Sequence, residues 1–145
     1  MKISLCIPMY NEASIIEQTA KTVSEYMASN FDDYEILFSN DGSTDGCDKI
    51  VENLKLPHVR VTGYAKNRGK GCAVRTAILE SDGDVIMFTD ADLAYGTDVI
   101  RRFYDELIKQ SDADMLIGSR NLSKDGYEGY TVIRKIASKL YIKVL

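Results

Sequence analysis

The sequence has little of what marks several protein classes. Its 145 residues include only two prolines and three cysteines, Cys6, Cys47 and Cys72. The cysteines are odd in number, far apart and without a Cys-x-x-Cys pair, so they indicate neither a disulfide framework nor a zinc site. Free thiols in a reducing cytoplasm are the expectation. No apolar run approaches the ~20 residues that a membrane-spanning helix needs. The chain enters an apolar strand pattern almost at once, with no basic segment leading a longer apolar one, and no signal peptide is expected. Internal repeats and low-complexity linkers are missing too. The lone histidine, His58, follows Pro57 and reads as a surface loop residue.

What is present is the composition of one globular domain. With 45% hydrophobic residues, the chain is long enough to bury most of its apolar surface. The net charge of −4 conceals an asymmetry. From residue 120 to residue 145 six bases (Arg120, Lys124, Arg134, Lys135, Lys139, Lys143) face two acids (Asp125, Glu128), a balance of +4 that leaves −8 on residues 1–119. A basic end on an acidic body suits either an anionic partner, such as a lipid headgroup or phosphate, or a solvated helix face. Nothing in this pattern points to nucleic acid.

Hydrophobic periodicity predicts alternating strands and helices. Lys2–Pro8 reads as a first strand that Pro8 ends, since proline cannot donate to a ladder. Ser14 and Glu17 have the spacing of a capping box ahead of Ile16, Thr19, Ala20, Val23 and Met27 at helical period. Tyr34–Ser39 is a second strand, followed by the turn-rich Asn40–Gly46 and a short helix through Ile50, Val51 and Leu54. Val59–Tyr64 is a third strand, and the loop after it leads to a helix carrying Val74, Ala77 and Ile78. Val85–Phe88 reads as a fourth strand buried on both faces. A helix with its core face at Val99, Ile100, Phe103 and Leu107 follows, then a fifth strand at Met115–Ser119. Connections this short favour right-handed crossovers and parallel pairing, which predicts an α/β fold of three layers: a mostly parallel sheet with helices on both faces.

Each strand exit carries polar or charged residues: Tyr10, Asn11 and Glu12; then Asn40, Asp41 and Asp45; then Lys66, Arg68 and Lys70; then Asp90 and Asp92; then Arg120. In an open parallel sheet ligands bind outside the carboxyl ends of the strands, so this mixture of acids, bases and glycines marks a ligand site. Two familiar phosphate motifs fail. Pro8-Met-Tyr-Asn-Glu12 lacks the Gly-x-Gly-x-x-Gly turn of dinucleotide binding, and Gly63 to Gly69-Lys70 has the wrong spacing for a P-loop, with Gly71 in place of Ser or Thr. Asp90 and Asp92, separated by the small Ala91, could share a hard cation such as Mg2+ or Mn2+ if the backbone bends out of the strand. They could equally be turn residues that cap the next helix.

Taken together these residues resemble glycosyltransferase family 2. Pro8-Met-Tyr-Asn-Glu12 is similar to the family's Pro-x-Tyr-Asn-Glu, and Asn40-Asp-Gly-Ser-Thr-Asp45 to its Asp-Asp-Gly-Ser-x-Asp. Asn67-Arg-Gly-Lys-Gly71 matches Asn-x-Gly-Lys-Gly, Asp90-Ala-Asp92 matches Asp-x-Asp, and Gly118-Ser-Arg120 matches Gly-Ser-Arg. Five motifs in order cover nearly the whole chain. Within the family the chain looks most like the polyprenyl-phosphate enzymes of the dolichyl-phosphate mannose synthase type, through Arg134-Lys135 and Ser138. Asn40 departs from the usual Asp, and Ala94 from a Gln common near the metal.

The resemblance implies a Rossmann-like GT-A fold and a metal-dependent inverting transfer from a nucleotide-diphospho-sugar (GDP-mannose or a UDP-sugar) to an acceptor, an undecaprenyl or dolichyl phosphate. It assigns the donor to Pro8, Tyr10, Asn11, Glu12, Asn40, Asp41, Lys70, Asp90 and Ala91, and Mg2+ or Mn2+ to Asp90 and Asp92. Asp92 and Arg120 become the catalytic residues, and Arg120, Arg134 and Ser138 the acceptor-phosphate ligands. Residues 1–145 are then one catalytic domain cut short at its C-terminal side, with a nucleotide-sugar half at 1–95 and the start of the acceptor side at 96–145. The expected location is the cytoplasm, peripheral at the inner face of the plasma membrane. A transferase with a polysaccharide or other non-lipid acceptor and an inactive nucleotide-sugar-binding fragment are the alternatives. A sugar-1-phosphate nucleotidyltransferase is disfavoured because its Gly-rich first loop is absent.

Overall fold

The computed structural model describes residues 1–110 and 112–118. Strands β1 (Ile3–Met9), β2 (Tyr34–Asp41), β3 (Val59–Tyr64) and β4 (Val85–Phe88) alternate with helices α1 (Ile16–Asn30), α2 (Cys47–Leu54), α3 (Lys70–Glu80) and α4 (Asp98–Lys109). All strand pairs are parallel, and the sheet order is β3-β2-β1-β4. The expected α/β fold is therefore present. The chain divides into two compact units, Met1–Asp105 and Glu106–Leu145; the sheet lies in the first.

Alternation along the central strands creates two different faces. Ile3, Leu5, Ile7 and Met9 of β1 and Tyr34, Ile36 and Phe38 of β2 point to one side, where Ile16, Ala20, Val23 and Met27 of α1, Cys47 and Val51 of α2 and Ile100 of α4 complete the main core. On the other side Cys6 and Leu37 pack against Ala77 of α3. Alanines at 73 and 77 let α3 lie close on the sheet, and both are fully buried. The Cys6 thiol is pushed up to about 11 by burial, with Glu35 adding to the rise. At the amino ends of the strands the buried Glu35 accepts from Ser4 Oγ at 2.6 Å, Arg60 Nε at 3.0 Å and Asp82 N at 3.0 Å. A buried carboxylate this well supplied with donors ties the α3–β4 turn to the sheet.

Four local expectations are corrected. Pro8 does not end β1: it pairs with Ser39, and Met9 with Asn40. The carbonyls of Lys2 and Cys6 face β4, so by alternation the ring nitrogen of Pro8 points the same way, past the last β4 pair at Cys6 and Phe88, where no ladder donor is needed. The Ser14–Glu17 capping box does not form. Helix α1 starts at Ile16, with Ile15 and not Ser14 at its N-cap position and no side-chain cap, and Glu12 O accepts from Ile15 N and Ile16 N. Glu17 pairs instead with Lys21 at 2.6 Å.

Strand β4 is not buried on both faces. Its Ile86 is 43% exposed and its Phe88 59%, since among the described residues β4 is the sheet edge and α3 packs on β1 and β2. Ile78 on α3 is likewise 38% exposed. The fifth strand is absent from its described residues 115–118, where Met115 and Ile117 stand in solvent. Propensity alone does not make a strand; a ladder needs a partner's N–H and C=O groups.

Candidate active site

The strand order reverses beside β1: the chain builds outward through β2 and β3, then returns to the other edge of β1 as β4. Crossovers that diverge in this way open a crevice at the carboxyl ends of β1 and β4. Tyr10, Asn11 and Glu12 leave β1 there, and Asp90 and Asp92 leave β4.

The first two exit loops hold each other. Asn11 N donates to Ser43 Oγ at 3.1 Å, and Asn11 Oδ1 accepts from Thr44 N at 2.9 Å. Asp45 accepts from Ala13 N at 2.7 Å and from Cys47 N at 3.1 Å, joining the β1 exit to the start of α2. Burial alone would raise the Asp45 carboxyl, but the N–H groups of Ala13 and Cys47 outweigh it and hold the group below its ordinary value. Asn40 Oδ1 accepts from Ser43 N at 2.8 Å. An aspartate could make the same bond, so the Asn at this position replaces only the other oxygen, an acceptor, with an amide donor.

Asp41 organises the third loop. Only 3% exposed, its carboxylate accepts from Tyr64 OH at 2.7 Å, Asn67 Nδ2 at 3.0 Å and Arg68 N at 2.8 Å. Next to it Gly42 has φ +71°, and a Cβ there would stand 2.5 Å from Asn67 N, so only glycine permits this approach. The Arg68 guanidinium lies 5.1 Å from the Tyr64 ring centroid. Burial and hydrogen bonds with Cys72 and Asp41 push the Tyr64 hydroxyl well above its ordinary range. The loop ends at Gly69, φ +92°, and Lys70 opens α3.

The chain bends sharply out of β4. Ala91 is buried, and its carbonyl accepts from Thr19 Oγ1 of α1 at 2.7 Å. Leu93 N donates to Asp90 O at 3.1 Å with Leu93 at φ +48°. This is the bend that two carboxylates one residue apart need before they can share an ion. Asp92 Oδ1 accepts from Ala94 N at 3.1 Å, which takes one of roughly four lone-pair sites on the carboxylate. Helix α4 begins only at Asp98, so neither acid caps it. Asp90 Oδ1 lies 2.5 Å from Lys70 Nζ, with the two side chains 41% and 59% exposed.

The residues fit Mg2+ or Mn2+. Asp90 and Asp92 offer hard carboxylate oxygens beside the exposed Lys70 ammonium, which already marks the place as one for positive charge. Among the described residues no third His, Cys, Asp or Glu joins them, in keeping with ions that take one or two carboxylates and complete their shell with water and substrate phosphates.

Of the residues expected to act, Pro8 is buried within β1, Tyr10 is 47% exposed, and Asn11, Glu12, Asn40, Asp41, Lys70, Asp90, Ala91 and Asp92 all fall at the same strand ends. Arg120, Arg134 and Ser138 lie outside the described residues, as do Lys135 and Ser119. Thr19, Ser43 and Tyr64 were not singled out from the sequence. Thr19 had a signal, a hydroxyl in the apolar stripe of α1; Tyr64 had none.

A model of glycosyl transferase family 2 matches residues 4–143. The chain belongs to glycosyl transferase family 2. Among its relatives are a bactoprenol glucosyl transferase of Shigella phage SfX, 35% identical over 129 residues covering 87% of this chain and 42% of that protein. The dolichol-phosphate mannosyltransferase of Pyrococcus furiosus is 30% identical over 145 residues, covering 99% of this chain and 40% of its own length. This family 2 chain thus spans about two fifths of these curated relatives. Two solved structures share its fold. The mannosyltransferase PcManGT of Pyrobaculum calidifontis, solved with GDP-Man and Mn2+, has a TM-score of 0.60 at 22% identity over 86% of this chain and 37% of that one. Glucosyl-3-phosphoglycerate synthase of Mycobacterium tuberculosis, solved with Mn2+ and UDP, gives 0.57 at 22% identity over 74% and 39%. The fold is the expected Rossmann-like GT-A arrangement of family 2, and its motifs account for the loops that clamp one another at the sheet edge.

Proposed function

We propose that these residues form the donor-binding part of a metal-dependent, inverting glycosyltransferase that takes a sugar from a nucleoside diphosphate and delivers it to a polyprenyl phosphate. The observation that carries this reading is the bent β4 exit, where Asp90 and Asp92 stand at the switch point of the sheet opposite Lys70 at the start of α3. The crevice suits a base and ribose against the interlocked loops at Tyr10–Glu12 and Asn40–Asp45, with the diphosphate reaching toward Lys70 and the two acids. The complexes of PcManGT with GDP-Man and Mn2+ and of the mycobacterial synthase with UDP and Mn2+ favour such a donor.

Asp90 and Asp92 would hold the divalent cation. When bound, that ion supplies a Lewis acid for the negative charge that grows on the leaving diphosphate. The chain's own residues do the rest. Thr19 anchors Ala91 so that the two acids keep their bend, and Lys70 brings positive charge beside the phosphates at a helix N-terminus. Asp41 takes no direct part in this scheme: its three protein donors make it the post on which the 65–69 loop is built.

The names of the bactoprenol and dolichol-phosphate relatives favour a lipid-phosphate acceptor. An acceptor that is already anionic needs no strong general base, and Arg120, Arg134 and Ser138 would position it by charge-assisted hydrogen bonds. We place the active protein at the inner membrane surface; among the described residues no helix is long and apolar enough to cross a membrane.

The test is thermal stabilisation by a panel of nucleoside diphosphates with and without Mn2+. One nucleotide should stabilise the chain, and only with the metal present. Stabilisation by every nucleotide irrespective of Mn2+, or by none, would remove the donor site from this protein.

A further inference from the structure

We propose that Lys70 is an exchangeable placeholder: its ammonium guards Asp90 against a lone divalent cation and moves to the donor diphosphate when metal and nucleotide arrive together. This rests on the donor-site reading above and adds how that site is regulated.

Three observations carry it. Lys70 Nζ lies 2.5 Å from Asp90 Oδ1, so the acid assigned to the metal already has a cation against it. Lys70 is the first residue of α3, and no acidic side chain lies in that first turn. An ammonium at the positive end of a helix is disfavoured unless an anion stands beside it; here Asp90, from across the crevice, is that anion. Finally, both side chains are substantially exposed, 59% and 41%, so the pair is held weakly and parts readily.

The consequence follows from charge. If a divalent ion alone took Asp90, it would displace Lys70 and leave the ammonium, the helix N-terminus and the ion close together with only the carboxylates of Asp90 and Asp92 to offset them. Lys70 therefore lowers the affinity for metal by itself. A nucleoside diphosphate removes the conflict, because its oxygens accept from Lys70 and from the N-terminal amides of α3 while Asp90 turns to the ion. Metal and nucleotide then bind cooperatively, and Lys70 is the coupling residue.

Lys70→Met keeps the length of the side chain and removes the charge. Binding of Mn2+ to the full chain, measured without nucleotide from the electron paramagnetic resonance of the free ion, should tighten about tenfold in this variant, the scale of removing one nearby positive charge from a partly screened site. Lys70→Arg, which keeps the charge, should retain the weak wild-type binding. With Mn2+ present, Lys70→Met should bind its preferred nucleotide, UDP or GDP, about tenfold more weakly, so the cooperativity between metal and nucleotide disappears. Manganese binding in Lys70→Met that is equal to or weaker than wild type would overturn the placeholder. Tighter manganese binding with no nucleotide bound by either protein would overturn the transfer to phosphate and, separately, the donor-site reading.

Discussion

The carboxylate of Asp41 accepts the backbone N–H of Arg68 at 2.8 Å, across the gap between the exits of β2 and β3. Two further donors, Tyr64 OH and Asn67 Nδ2, fill the same buried group. The acid thus stands where a nucleotide contact is expected, yet its bonds go to its own protein. Its effect on a ligand passes through the 65–69 loop and through Lys70, which follows it.

Asp41→Ala should therefore lower stability before it touches chemistry. Removing the acceptor leaves three partly buried donors without this partner, at a cost of about 1–3 kcal/mol. Urea unfolding should read that loss, and nucleotide binding should fall with it. A variant as stable as wild type but unable to bind nucleotide would show that Asp41 meets the ligand directly.

Asp45 makes stability depend on acidity. Its carboxyl is held below the ordinary value of 3.8 by the N–H groups of Ala13 and Cys47, which outweigh the opposing effect of burial. The ionised form is thus favoured in the folded chain. Its contribution is complete above pH 3.8 and is lost as pH falls through the depressed folded value. Asp45→Asn should be about 1 kcal/mol less stable at neutral pH, the usual scale of a lost helix-end acceptor, and should converge on wild type as both are acidified. Thermal melts across an acidic series measure the convergence; a constant difference would mean that ionisation plays no part.

Thr19 reaches the site from beneath. Its hydroxyl donates to Ala91 O at 2.7 Å, between the two acids, from a position 5% exposed. Thr19→Val keeps the shape and leaves the carbonyl unsatisfied, costing roughly 1–3 kcal/mol. If this bond holds the bend, the variant should also lose part of its Mn2+-dependent nucleotide stabilisation, and a stability loss without that second effect would make Thr19 a core residue only. Comparing melting temperatures with and without Mn2+ and nucleotide separates the two.

The alternation of apolar strands and periodic helices determined the α/β class, because burial on a period of 2 or 3.6 is written residue by residue. The places of Asp90, Asp92 and Lys70 at strand exits followed from the same local pattern, and the family motifs gave them a common meaning. Other features needed the third dimension. That β4 returns beside β1 and leaves Ile86 and Phe88 half open depends on strand order, which periodicity does not encode. The Ser14–Glu17 cap does not form because helix α1 begins one residue later than the spacing suggests, with Ile15 at the N-cap position. Nor could spacing reveal that Asp41 is spent on Tyr64, Asn67 and Arg68, or that Lys70 and Asp90, 20 positions apart in the chain, meet at 2.5 Å. The sequence determined which groups are available at the sheet edge; packing decided which of them are already bonded to each other and which are left to meet a ligand.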